Sequence, residues 1–118
     1  KISFLGVTFK ANTDDMRDSS CLSMIPSLLK KGAKIKYFDP TGEKNELKKL
    51  KNVIFAHDIS SAIEDSDLII IHTEWNDFKT INFKKIVQKK NFVVFDMRNI
   101  YSSKKMKKQN IKYFAIGS

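Results

Sequence analysis

Leu68-Ile69-Ile70-Ile71 places four apolar residues in a row, three of them β-branched, with no polar position between. A strand wetted on one face alternates; a strand apolar at every position is covered on both, as in the middle of a parallel sheet. The rest of the chain must therefore supply neighbouring strands and two layers of cover. Other apolar segments at 2–7, 34–38, 53–55, 92–95 and 111–116 predict further strands around the one at 67–72. Helical patterns at 21–31, 43–50, 60–64, 83–89 and 104–109 fall between them. Strands and helices that alternate through short connections predict a doubly wound α/β fold. The expected architecture is a mainly parallel sheet of about six strands with helices on both faces, a Rossmann-like three-layer sandwich. At 118 residues the chain has material for one hydrophobic core, so 1–118 is read as a single domain.

The first helix is the best marked. Leu22, Ile25, Leu28 and Leu29 form its stripe, Ser19 or Ser20 can cap it, and Gly32 can stop it. Pro26 falls past the first turn and predicts a kink or a later helix start.

Several classes of function are disfavoured. The longest apolar run is far short of the roughly 20 residues a membrane helix needs, and no signal-peptide pattern opens the chain, so no membrane partner and a cytoplasmic location are expected. Cys21 is the only cysteine, and with His57 and His72 as the only histidines no metal site is expected. Cys21 reads as a small helix residue, since a nucleophile needs a base that the sequence does not place beside it. The formal charge of +9 favours anionic partners. Yet the lysines cluster on or just after helices, as a solvated outer face does, and most phenylalanines fall inside strand patterns. Basic residues interleaved with exposed aromatics, the pattern of many RNA-binding surfaces, are therefore lacking, and no nucleic-acid partner is expected.

In doubly wound sheets ligands collect at the carboxyl ends of the strands, which singles out the loops after Val7, His72 and Phe95. The first, from Thr8 to Ser20, packs Lys10, Arg17, Asp14 and Asp15 with Asn12 and Thr13 between strand and helix. Lys10 offers a point charge to a phosphate and Arg17 a planar fork, while helix amides near Ser19 favour an anion. The alternative is a loop in which Asp14 and Asp15 neutralise Lys10 and Arg17. Gly6 is the only glycine before Gly32, so neither a dinucleotide fingerprint nor a Walker A loop can be drawn, and a self-contained NAD or ATP site is excluded. The Asp14-Asp15 pair also admits a phospho-accepting receiver domain, but that needs a lysine after the fifth strand, where Arg98 stands. Arg98 itself follows Asp96, with which it can form a structural pair. Trp75 and Phe78 suit an aromatic plug over the sheet end as well as a ligand surface, and no ligand is assigned to them.

One string is not demanded by any fold rule: Phe9-Lys10-x-Asn12-Thr13-Asp14-Asp15-Met16-Arg17-Asp18-Ser19. With Tyr37-Phe38-Asp39-Pro40, Thr73-Glu74-Trp75, Phe95-Asp96-x-Arg98-Asn99 and Ile116-Gly117, it resembles the carboxy-terminal domain of the UDP-glucose/GDP-mannose dehydrogenase family across essentially the whole chain. The resemblance implies one part of a larger homodimeric enzyme, with an amino-terminal NAD-binding domain and a central region carrying the nucleophilic cysteine. Such an enzyme oxidises the C6 alcohol of a nucleotide sugar to a carboxylate in two NAD-dependent steps. UDP-glucose is the expected substrate, with UDP-N-acetylmannosamine, GDP-mannose or a free-standing nucleotide-binding module as alternatives. By the same resemblance, Phe9, Lys10 and Arg98 contact the UDP-sugar and Arg17 reaches NAD held mainly by the absent amino-terminal domain. No catalytic residue is expected in this chain, and Cys21 matches none. Met97 replaces the small residue usual in the family's Asp-Gly-Arg string. Lys1 is not Met and opens directly on a strand, which agrees with a piece of a longer chain.

Overall fold

A computed structural model describes residues 1–116, so Gly117, the last residue of the Ile116-Gly117 pair, lies outside the described part. Its six strands are β1 (Ile2–Leu5), β2 (Ile35–Phe38), β3 (Val53–Phe55), β4 (Leu68–Ile71), β5 (Val93–Asp96) and β6 (Lys112–Ala115). They form one sheet in the order β3-β2-β1-β4-β5-β6, every neighbouring pair parallel. The expected doubly wound sheet is therefore present. This order also rules out the receiver domain, whose sheet runs 2-1-3-4-5.

The apolar run is split by the pleat. Ile69 and Ile71, with Leu5 and Val94, belong to the core under α3 (Ile59–Ile63), α4 (Phe83–Ile86) and α5 (Ser103–Lys108). Ile70, with Phe4, Ile35 and Tyr37, belongs to the opposite core under α1 (Cys21–Lys30) and α2 (Asn45–Lys48). Each buried isoleucine contributes about 1.5–3 kcal/mol of burial, and successive residues serve opposite layers because strand side chains alternate. A one-residue slip would exchange the two cores, so the pairing Ile2 with Leu68 through Leu5 with Ile71 is strongly specified.

Helix α1 overturns one of the two alternatives that Pro26 left open. It starts at Cys21 and runs through Pro26, so there is no later start. Proline removes one backbone bond, and the complete burial of Cys21 and Ile25 offsets that loss. Two other helices are shorter than expected. Lys44 stays extended with its amide on the Tyr37 hydroxyl (2.8 Å), which delays α2. Val87 leaves α4 in an extended conformation because the Gln88 amide is drawn to the Glu64 carbonyl (2.8 Å).

Candidate functional site

Beyond β3 the chain crosses back to β4 on the other side of β1, so β1 and β4 flank the point where the strand order reverses. Their loops and the turn after β5 emerge side by side there. Contact between the first two is close. A Cβ on Gly6 would sit 2.5 Å from Thr73 Cβ, and φ at Gly6 is +78°, so only glycine fits on both counts. The next amide, of Val7, donates to Asp39 Oδ2 (2.9 Å), and Asp39 Oδ1 accepts from the Thr41 amide and hydroxyl (2.9 and 2.6 Å). Asp39 thereby fastens β1 to the turn after β2.

The loop from Thr8 to Ser20 is built largely from its own side chains. Phe9 donates its amide to the Asp15 carbonyl (3.1 Å), and Thr13 Oγ1 accepts the Asp15 amide (3.2 Å). Asn12 and Asp18 take left-handed backbone at φ 63° and 62°, a conformation their short polar side chains tolerate. Both serines proposed as caps are used, in different ways. Ser19 Oγ accepts the Cys21 amide (3.2 Å) and donates to the Val7 carbonyl (2.5 Å). Ser20 holds the N-cap position without capping; its hydroxyl lies 2.8 Å from His72 Nε2.

Of the expected site residues, Phe9, Lys10 and Arg17 are all exposed on this loop. Arg17 grips Asp15 through Nε and Nη2 (3.1 and 2.9 Å), yet its side chain remains 89% exposed. That contact holds the Asp15 carboxyl below its ordinary range and raises the Arg17 guanidinium. The neutralised-loop alternative is thus half realised, because among the described residues Lys10 makes no ion pair.

Arg98 differs from its expected alternative. Its guanidinium does not meet the Asp96 carboxylate. Nε donates to the His72 carbonyl (2.9 Å) and Nη2 to the Phe9 carbonyl (3.0 Å), so one exposed side chain spans the loops after β4 and β1. Asp96, fully buried, is saturated by the amides of Arg98 (3.1 Å) and Tyr101 (3.0 Å) and by the Tyr113 hydroxyl (2.6 Å). A carboxylate so placed shapes the turn that presents Arg98, and burial with Asp96 nearby pushes the Tyr113 hydroxyl upward. Met97 at the intervening position is half-buried against the α1-side core, which accommodates its bulk.

His72 was not among the residues singled out for the site. It is buried, with Nδ1 3.1 Å from Thr73 Oγ1 as well as Nε2 on Ser20. Burial first, and then the Arg98 charge, lowers it to about 4, so the ring is neutral at physiological pH. One signal was in the sequence: His72 is the polar residue that ends the apolar run Leu68 to Ile71.

Trp75 and Phe78 are buried in the core under α3, α4 and α5; Trp75 Nε1 has no partner among the described residues. Cys21 is fully buried, and burial pushes its thiol up to about 12, which leaves it unfit as a nucleophile. A hollow of about 180 Å³ opens at the opposite, amino end of β1 to β3, between Lys34, Lys36 and Asn52. Lys36 is already committed there to Asp65 (3.3 Å) and the Ser61 carbonyl (3.2 Å). The uncommitted cation Lys10 and the exposed aromatic Phe9 sit instead at the carboxyl end, where the fold gathers ligands.

The sheet and this rim define a doubly wound domain that presents side-chain cations, in place of a glycine loop, at its switch point. Residues 3–103 match the UDP-glucose/GDP-mannose dehydrogenase family, UDP binding domain, and the chain belongs to that family. It is 40% identical over 120 residues to the UDP-glucose 6-dehydrogenase of Rickettsia felis, covering 99% of this chain and 27% of that protein. The UDP-glucose dehydrogenase of Pyrobaculum islandicum superposes at a TM-score of 0.72 with 25% identity, over 96% of this chain and 24% of the other. A UDP-D-ManNAc dehydrogenase from Pyrococcus horikoshii does so at 0.71 with 26% identity, over 98% and 25%. The chain thus spans about a quarter of the length of the relatives it matches, all three of them named as dehydrogenases.

Proposed function

We propose that this chain is the nucleotide-sugar-binding domain of an NAD-dependent UDP-glucose 6-dehydrogenase, with Phe9, Lys10 and Arg98 on the UDP-sugar and Arg17 toward the cofactor. The observation that carries it is Arg98 spanning the Phe9 and His72 carbonyls. That bridge gathers two cations and an exposed aromatic ring at the switch point of a chain that is 40% identical to a UDP-glucose 6-dehydrogenase. A pyrophosphate carries two negative charges and a sugar ring an apolar face, which a cation pair and a phenyl ring complement.

An NAD site internal to this chain does not fit, because the β1–α1 loop has no glycine cradle and is closed by its own side chains. An outside contact through Arg17 does fit, since that guanidinium is held by Asp15 yet stands 89% exposed. NAD, when bound, accepts hydride from the sugar alcohol. This chain orients the sugar nucleotide for that step, and binding energy is put into positioning. The catalytic cysteine, the rest of the cofactor site and the dimer contacts are assigned to other parts of the polypeptide.

Calorimetry and thermal shift with UDP-glucose, UDP-N-acetylmannosamine and GDP-mannose test this. A ligand held only by the native state raises apparent stability. UDP-glucose should give the largest shift, Lys10→Ala should weaken it, and the chain should not turn over UDP-glucose with NAD. Turnover, or a UDP-glucose response untouched by Lys10→Ala, contradicts the assignment.

A further inference from the structure

His72 is buried where the loops after β1 and β4 meet, with both ring nitrogens on hydroxyl groups. The hydrogens around it can be counted. Thr73 Oγ1 has a single proton and donates it to the Thr8 carbonyl at 2.9 Å. With that proton on Thr8, Thr73 Oγ1 accepts from His72 Nδ1, 3.1 Å away, the arrangement that puts the ring proton on Nδ1; the Gly6 carbonyl also faces the ring. In a neutral ring Nε2 is then a bare lone pair, and the Ser20 hydroxyl at 2.8 Å must be its donor.

The result is a directed chain of hydrogen bonds, Ser20 to His72 to Thr73 to Thr8. It joins the last residue of the loop after β1 to the first, by way of β4. Thr8 Oγ1 continues inward to the Lys10 carbonyl (3.0 Å). The same His72 gives its backbone carbonyl to Arg98, whose other nitrogen holds the Phe9 carbonyl. Thr73 cannot drift, because its Cβ lies against Gly6. The charged groups facing the ring are Arg98 from the turn after β5 and Asp39 from the turn after β2, and the Phe4 ring packs 6.3 Å away, centroid to centroid.

We propose that His72 is a positioning residue for the nucleotide-sugar site, fixing the loop that carries Phe9 and Lys10 against Arg98 through Ser20 and Thr73. The proposal rests on the functional reading above. It makes the loop's shape depend on a buried side chain, and on one tautomer of that side chain. The neutral state of the ring at physiological pH agrees with it.

Two measurements on the intact chain test this. Nitrogen-15 NMR of the histidine rings should find His72 neutral with the proton on Nδ1; a proton on Nε2 overturns the relay. Calorimetric titration of UDP-glucose should then compare wild type, Thr73→Val, His72→Leu, the double variant and His72→Asn, each checked for cooperative melting. Thr73→Val keeps the shape and removes the hydroxyl. It should weaken binding about tenfold, as expected for one lost hydrogen bond at an ordered site. His72→Leu should do the same, and the double variant should be no worse than either single one, because both cut one chain. His72→Asn, whose amide can still donate to Thr73, should recover most of the affinity. A folded Thr73→Val that binds like wild type, or effects that simply add, overturns the proposal. A wild type that binds no UDP-glucose overturns the functional reading itself and the positioning role with it.

Discussion

Arg17 and Arg98 stand in two loops of one rim and are held in contrasting ways. Arg17 sets its guanidinium on the carboxylate of Asp15, two residues away. Arg98 sets its own on backbone carbonyls 26 and 89 residues away in the chain. The first arrangement is local, solvent-screened and complete within its loop. The second exists only when three strands are assembled, so it depends on the fold and ties two of its loops together. A local ion pair keeps a side chain extended toward an outside partner, whereas a bridge between loops shapes the surface on which a ligand lies. The roles proposed for the two arginines, cofactor and substrate, follow that division.

If the β5 turn is the anchored region, its anchor should matter most. Asp96→Ala leaves two amides and a hydroxyl without their acceptor and should cost roughly 4 kcal/mol in urea unfolding, since buried charge-assisted bonds are expensive to leave unmade. A loss under 1 kcal/mol would mean that the turn holds itself.

The next largest effect comes from acid. His72 has a folded value of about 4 against an ordinary 6.5. Below pH 6.5 the unfolded chain takes up a proton that the folded chain refuses until about pH 4, so stability falls with pH across that window. The His72 contribution is about 3 kcal/mol, read as the difference in pH dependence between wild type and His72→Asn. Parallel profiles would show that the ring does not titrate as described.

Arg98→Lys should come third. A single ammonium cannot reproduce a fork on two carbonyls, so UDP-glucose affinity should drop about tenfold with little change in melting. At the small end, Asp15→Asn removes the partner of a fully exposed arginine. The melting midpoint should not move measurably, because exposed pairs contribute little. A large shift would put the loop after β1 on the same footing as the β5 turn and erase the contrast.

The same contrast explains what could be read in advance. The apolar run 68–71 marked a central strand because burial on both faces leaves a pattern in one strand. Lys10 and Arg17 stood out because an excess of charge in one loop is visible locally, whereas Phe9 came from the family resemblance alone; that Asp14 and Asp15 could neutralise the two cations was legible as an alternative. For Arg98 the structural alternative was a pair with Asp96, the nearest acid in sequence, and the guanidinium instead meets the carbonyls of His72 and Phe9. The true acceptors are carbonyls, which every residue has and no composition reveals. His72, Ser20 and Thr73 form one chain only because β4 lies beside β1. Pro26 admitted a kink or a later helix start, and the later start does not occur, because the burial of Cys21 and Ile25 is not legible in the local pattern.

The most direct test of the account is to record amide NMR shifts of the chain as UDP-glucose is added. The largest changes should fall in residues 8–13, 72–75 and 97–99, the three loops that Arg98 joins. Changes centred on Lys34, Lys36 and Asn52 at the opposite end of the sheet, or none at all, would contradict the assignment of the carboxyl rim as the binding site.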